Sequence, residues 1–211
     1  MRVRHSRRAG YTLVELLIGG FFLASMLMVA GLATERTLAS FRTKRAEQEV
    51  IVNGNRLLER IVRELAFAAR DGLAPPTLVG VGSERVEYRL ALGGGAFSGL
   101  RRLELALESG ELENGADDDG DGLVDEHEVR FTQDAGSAEE VSVTLAKGLS
   151  EYAAGEQPNG LDDDGNGLID ERGLSFVREG DTLTVRVTLL FVSPGGLVRP
   201  RSLETSVLPR N

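Results

Sequence analysis

Residues 9–18 read Ala-Gly-Tyr-Thr-Leu-Val-Glu-Leu-Leu-Ile, and they open a run from Tyr11 to Ala33 in which Glu15 is the only charge. Arg2, Arg4, Arg7 and Arg8 precede the run, and Glu35 and Arg36 end it. At about 1.5 Å of rise per residue, these 23 residues make a helix of about 34 Å, enough to span a bilayer. Four arginines on the N-terminal side favour holding residues 1–10 in the cytoplasm, so that the remainder faces outward. A carboxylate inside such a run costs several kcal/mol unless it has a partner, roughly 3 by insertion scales, which makes Glu15 a functional residue by default. A secretory signal peptide cut near Ala33 has the same flanks. Its apolar region, however, does not normally carry Glu, and the chain has no Cys for a lipid anchor.

The rest of the composition narrows the function classes. The formal charge is -9, which argues against a nucleic-acid surface. Without Cys, an extracytoplasmic domain needs something other than disulfides to hold its long loops. Basic residues are nearly all Arg, with Lys44 and Lys147 the only lysines. There is no His cluster, no Ser with an evident base, and no Gly-rich turn between a strand and a helix. The chain therefore reads as a non-enzyme.

Downstream of the apolar run, residues 34–72 read as the amphipathic second half of the same helix. Leu58, Ile61, Val62, Leu65 and Ala69 recur at helical spacing, with Glu59, Arg60, Arg63, Glu64 and Arg70 between them. Gly72 is a natural cap and Pro75-Pro76 a stop, while Asn53-Gly54-Asn55 is a point of weakness or a kink. One helix from Tyr11 to Asp71 would be about 90 Å long and would leave its second apolar stripe bare unless something covers it. Residues 73–211 supply that cover as a strand-rich head. Val86, Tyr88, Leu90 and Leu92 alternate with polar residues, as do Leu103, Leu105 and Leu107, then Val141, Val143 and Leu145, then Leu183, Val185, Val187 and Leu189. Gly93-Gly94-Gly95 and Pro194-Gly195-Gly196 mark turns, and Leu203 to Val207 suggests a last strand. The expected class is α+β: a long N-terminal transmembrane and amphipathic helix packed on an antiparallel sheet.

Two acidic segments, 114–128 and 159–171, interrupt this head. Residues 114–126 read Asn-Gly-Ala-Asp-Asp-Asp-Gly-Asp-Gly-Leu-Val-Asp-Glu, and residues 159–171 read Asn-Gly-Leu-Asp-Asp-Asp-Gly-Asn-Gly-Leu-Ile-Asp-Glu, with ten of 13 positions identical. Oxygen side chains at alternate positions, then Gly, then an aliphatic residue make the pattern of a calcium loop. In the first loop Asp117, Asp119 and Asp121 stand at positions 1, 3 and 5, and Leu123 offers a carbonyl. Val124 would face the core, and Glu128 falls at position 12. The second loop repeats this with Asp162, Asp164, Asn166 and Leu168, but Gly173 stands at position 12. The downstream acids that both loops share are Asp125 with Glu126 and Asp170 with Glu171, and the pattern leaves open which of these, or Glu128, ligates. His127 to Gln133 reads as a strand rather than a helix, so these are isolated calcium-type loops and not EF-hands. His127 itself is expected as an exposed loop residue. Seven acids between Asp117 and Glu128, with no Lys or Arg among them, repel one another unless a cation is present. Two bound calcium ions are expected. The competing reading is a pair of solvated acidic turns.

Gly10, the aromatic Tyr11 and Glu15 five residues past the Gly resemble the type III signal of type IV pilins and pseudopilins, usually Gly-Phe-Thr-Leu-Ile-Glu. That resemblance implies cleavage between Gly10 and Tyr11 by a membrane-embedded prepilin peptidase and N-methylation of Tyr11. It also implies that Glu15 neutralises the Tyr11 amine of a neighbouring subunit in a helical filament, where each buried charge offsets the desolvation of the other. The partners it implies are other pilins or pseudopilins, the peptidase and inner-membrane lipid. The location it implies is a bacterial inner membrane with a periplasmic head, then a pilus or pseudopilus at or near the cell surface. Residues 56–72 and the tail 204–211 resemble PilW-type minor pilins, and residues 56–72 also the J pseudopilin of type II secretion. The K pseudopilin of the tip lacks the signal Glu, which this chain has. Many major pilins close a C-terminal loop with a disulfide, which a chain without Cys cannot do. The function so implied is a minor pilin or pseudopilin that primes or caps a filament. The alternatives are a calcium-dependent surface adhesin delivered through the pilin pathway and a periplasmic domain released by a signal peptidase.

Overall fold

A computed structural model of the chain describes residues 12–70, 73, 82–193 and 195–209. Gly10, Tyr11, Gly72 and Pro75-Pro76 lie outside the described residues. The chain divides into two compact units, Met1–Lys44 and Arg45–Asn211.

Helix α1, Leu13–Leu65, runs through both units. Its start is a capping box: the Thr12 Oγ1 accepts from the Glu15 amide at 3.2 Å, and the Glu15 Oε2 accepts from the Thr12 amide at 2.9 Å and from its hydroxyl at 2.9 Å. In the first unit the helix exposes Leu13, Leu16, Leu17, Phe21, Phe22, Met26 and Met28. A window of α1 with mean hydropathy 2.2 is long and apolar enough to cross a membrane.

In the second unit, α1 buries Leu57, Leu58, Ile61 and Leu65. Their spacing of three and four places them on one stripe, which packs with Val86, Tyr88, Leu103, Val129, Phe176, Val185 and Val187 of the sheet in a single core. Glu64, on the flank of that stripe, accepts from Arg101 at 2.7 Å. The triplet Asn53-Gly54-Asn55 neither breaks nor ends the helix. Gly54 is buried because a Cβ there would overlap Leu203 Cδ1 and stand 2.7 Å from Leu189 Cδ1. A residue read as a weak point in the helix is thus a place where helix and sheet come close together. The helix also ends earlier than residue 71. After Leu65 the chain turns, Ala68 bridges Leu90, and the Ala69 amide donates to the Arg89 carbonyl at 2.8 Å. Extended pairing with the residues after β1 satisfies backbone groups that a further helical turn would have used.

The strands are β1 Arg85–Tyr88, β2 Ala91–Gly93, β3 Ala96–Phe97, β4 Arg101–Leu107, β5 His127–Gln133, β6 Val141–Leu149, β7 Leu174–Glu179, β8 Thr182–Val192 and β9 Val198–Val207. β2 and β3 form a small hairpin, and the other seven make one antiparallel sheet in the order β1-β4-β5-β6-β8-β7, with β9 beside β8. The sheet curls until its two ends meet: Ser83, just before β1, exchanges both backbone hydrogen bonds with Phe176 of β7, at 3.1 and 2.8 Å. Period two holds best in β8, where Leu183, Val185, Val187 and Leu189 are all buried. It holds least in β6, whose Val141 and Val143 are exposed, and in Leu92, which falls on the hairpin. The architecture is α+β, an apolar N-terminal helix with a curled antiparallel sheet.

Both acidic segments lie in connections between strands that flank the same region. The first joins β4 to β5, and the second joins β6 to β7.

Candidate metal loops of the head

Each loop is tied shut by its own backbone. Asp125 adopts φ 49°, and its carboxylate accepts from the amides of Asn114 and Gly115 at 3.0 and 2.9 Å. Asp170, at φ 48°, does the same for Asn159 and Gly160 at 2.9 and 3.0 Å. These two shared acids close the loops across ten or eleven residues by filling their oxygens with N–H donors.

Inside the loops most of the hydrogen bonds repeat. Asp117 accepts from Gly120 and Gly122, as Asp162 does from Gly165 and Gly167. Asp119 accepts from the Asp121 amide and Asp164 from that of Asn166. The oxygens of Asp121 and Asn166 receive the amides of Leu123 and Leu168, both at 2.8 Å. Leu123 and Leu168 turn their side chains inward, whereas Val124, read as the core-facing residue, is exposed, as is Ile169. The positive φ of Asp125 reverses the chain directly after Val124, and Leu123 instead reaches the position a Cβ on Gly148 would touch at 3.4 Å.

The structure brings three carboxylates together in each loop, and one of the three precedes the repeat recognised in the sequence. Oxygens of Glu111, Asp117 and Asp119 lie within 4.8 Å of one another, and so do those of Glu156, Asp162 and Asp164. Glu111 and Glu156 each stand six residues before the first loop Asp. Their Oε1 atoms accept two amides of the loop, from Asp118 and Asp119 in one and from Asp163 and Asp164 in the other. Among the described residues, their Oε2 atoms are buried without a hydrogen-bond partner. The signal for these residues was present in the sequence: Gly110-Glu111 and Gly155-Glu156 extend the repeat, and both glycines take a left-handed backbone, φ 118° and 104°.

Glu128 and Glu171, expected among the metal ligands, each have protein partners of their own. Glu128, on β5, is buried and accepts from Arg130 at 2.7 Å and Thr144 at 3.0 Å. Among the described residues, it lies in none of the carboxylate sets that could hold an ion. Gly173, its counterpart, has no room for a side chain, since a Cβ there would overlap the Ser150 carbonyl oxygen. Glu171 is buried and held by Ser175, Arg186 and the Asn166 amide group. His127, expected in an exposed loop, lies buried in β5 between Leu107 and Leu149. Its Nδ1 stands 3.1 Å from the Asp125 carbonyl oxygen, and burial holds its pKa below the ordinary histidine value. Strand pairing of the first residue after the loop accounts for the difference.

The donor set fits a hard cation. All the converging atoms are carboxylate oxygens, with no Cys and no His in the groups. Calcium takes oxygens at about 2.3–2.6 Å, so two ligands of one ion stand at most about 5 Å apart, and the oxygens of each set lie within 4.8 Å of one another. A buried carboxylate oxygen without a donor costs on the order of 1–3 kcal/mol or more, and Glu111 and Glu156 each have one among the described residues. Glu111, Asp117 and Asp119 in the first loop, and Glu156, Asp162 and Asp164 in the second, therefore make one equivalent set per loop that could hold a metal ion. Comparison with protein-family models, with curated proteins and with solved structures gives no match to this chain.

Proposed function

We propose that this chain is a minor pilin or pseudopilin, a structural subunit that primes or caps a type IV pilus or a type II secretion pseudopilus, with its head loops each stabilised by one calcium ion. The observation that carries the reading is the union of Gly10, Tyr11 and Glu15 with an apolar helix that continues into the core of a strand-rich head. The basic leader and the membrane-length apolar segment support delivery to a bacterial inner membrane with the head outside. Prepilin peptidase would release Tyr11, and Glu15 would leave its Thr12 cap to meet the Tyr11 amine of a neighbour in the filament. Calcium near millimolar concentration outside the cell would fill even weak loops of this kind. In a head without Cys, the ions take the role that disulfides have elsewhere. Deleting the gene and counting filaments, secreted substrate and adhesion in parallel tests the assignment. Loss of filaments or of secretion is the expected result. Loss of adhesion with filaments and secretion at normal numbers would replace the filament role with that of a surface adhesin.

A further inference from the structure

The first loop differs from the second at one buried carboxylate. Glu126 and Glu171 are equivalent in the repeat, and both are 1% exposed. Glu171 is neutralised by the guanidinium of Arg186 and further held by Ser175 and Asn166. Glu126 has no such cation, and neither of its carboxylate oxygens has a hydrogen-bond partner among the described residues. One oxygen of Glu126 lies within 4.8 Å of oxygens of Glu108 and Asp119. Glu108 is buried as well, and its counterpart in the second loop is Ala153. Both residues sit at the same backbone position: the Glu108 amide donates to the Glu126 carbonyl at 3.0 Å, and the Ala153 amide to the Glu171 carbonyl at 2.8 Å. Where the second loop has Ala and a fixed Arg, the first has Glu and a carboxylate with nothing to neutralise it.

We infer that the first loop holds a second divalent cation, bound by Glu108, Asp119 and Glu126, with Asp119 bridging it to the ion held by Glu111 and Asp117. The head then takes three ions, two in the first loop and one in the second. This inference rests on the reading of the loops as cation sites. An exogenous cation at Glu126 does what Arg186 does at Glu171. Lys147 contacts Glu108, but its side chain is 54% exposed, so its ammonium is free to leave for solvent. The donors are all carboxylates. They suit calcium, which accepts many protein oxygens, better than magnesium, which keeps several waters.

The test uses the full-length chain in detergent, stripped of metal and dialysed against calcium chloride, with bound ions counted by native mass spectrometry. Three ions are expected in the unaltered protein, two in Glu126→Gln, two in Asp164→Asn and one in Asp119→Asn. Glu108→Ala, which installs the residue the second loop already tolerates, provides a second variant and should also hold two. Two ions in the unaltered protein, with Glu126→Gln and Glu108→Ala unchanged from it, would overturn the second cation of the first loop and leave one ion per loop standing. No ions at all would overturn both.

Discussion

Glu15 has two possible partners, and they make different demands on its side chain. In the chain by itself it is the third residue of a capping box with Thr12, a role that Gln fills as well as Glu. In a filament it would neutralise the Tyr11 amine of a neighbour, a role that needs the charge. Glu15→Gln should therefore leave the helix and its membrane insertion intact yet fail to restore filaments in a deletion strain, as should Glu15→Val. Full restoration by Gln, with failure of Val, would assign Glu15 to the cap alone. The capping pair was legible in the sequence as Thr-Leu-Val-Glu. In an apolar run the same carboxylate also suits a distant charged partner, so the sequence alone does not choose between cap and pair.

At the scale of the element, α1 in the second unit is held by what its stripe buries. Ile61 is fully buried against the sheet, so Ile61→Ala should destabilise the head by about 2–5 kcal/mol. Gly54 gives an opposite test. Alanine there should gain about 1 kcal/mol of helix propensity but lose about 1–3 kcal/mol to overpacking against Leu203 and Leu189. A lowered melting temperature is expected for Gly54→Ala, and no lowering for Gly31→Ala, where a Cβ meets nothing and the gain in helix propensity stands alone. Raised stability in Gly54→Ala would show that the sheet moves aside at no cost. Helical and strand periodicities made the stripe and β8 readable in the sequence. The early end of α1 and the exposed half of β6 were not readable, because both depend on which distant strand supplies hydrogen bonds. The loops show the same division. Their Asp ladder is local and was legible. Glu111 and Glu156 are legible as an extension of the repeat and Glu126 as one of its shared acids, but which carboxylates converge depends on how the fold buries them beside the ladder.

For the whole molecule, the acidic head depends on what neutralises it. Ions that bind the folded head alone stabilise it by mass action, about 2.7 kcal/mol per site at a 100-fold excess over the dissociation constant. The melting temperature of the head should therefore rise with calcium and fall in chelator, and Asp119→Asn should blunt the rise more than Asp164→Asn. Equal melting in calcium and chelator would make the loops solvated acidic turns. The filament assignment depends on a different part of the chain, and its most direct test is the mature N-terminus. Intact and fragment mass spectrometry of the protein recovered from its native membrane should find a chain that begins at an N-methylated Tyr11. A chain that begins near residue 34, with the apolar segment removed, would contradict it.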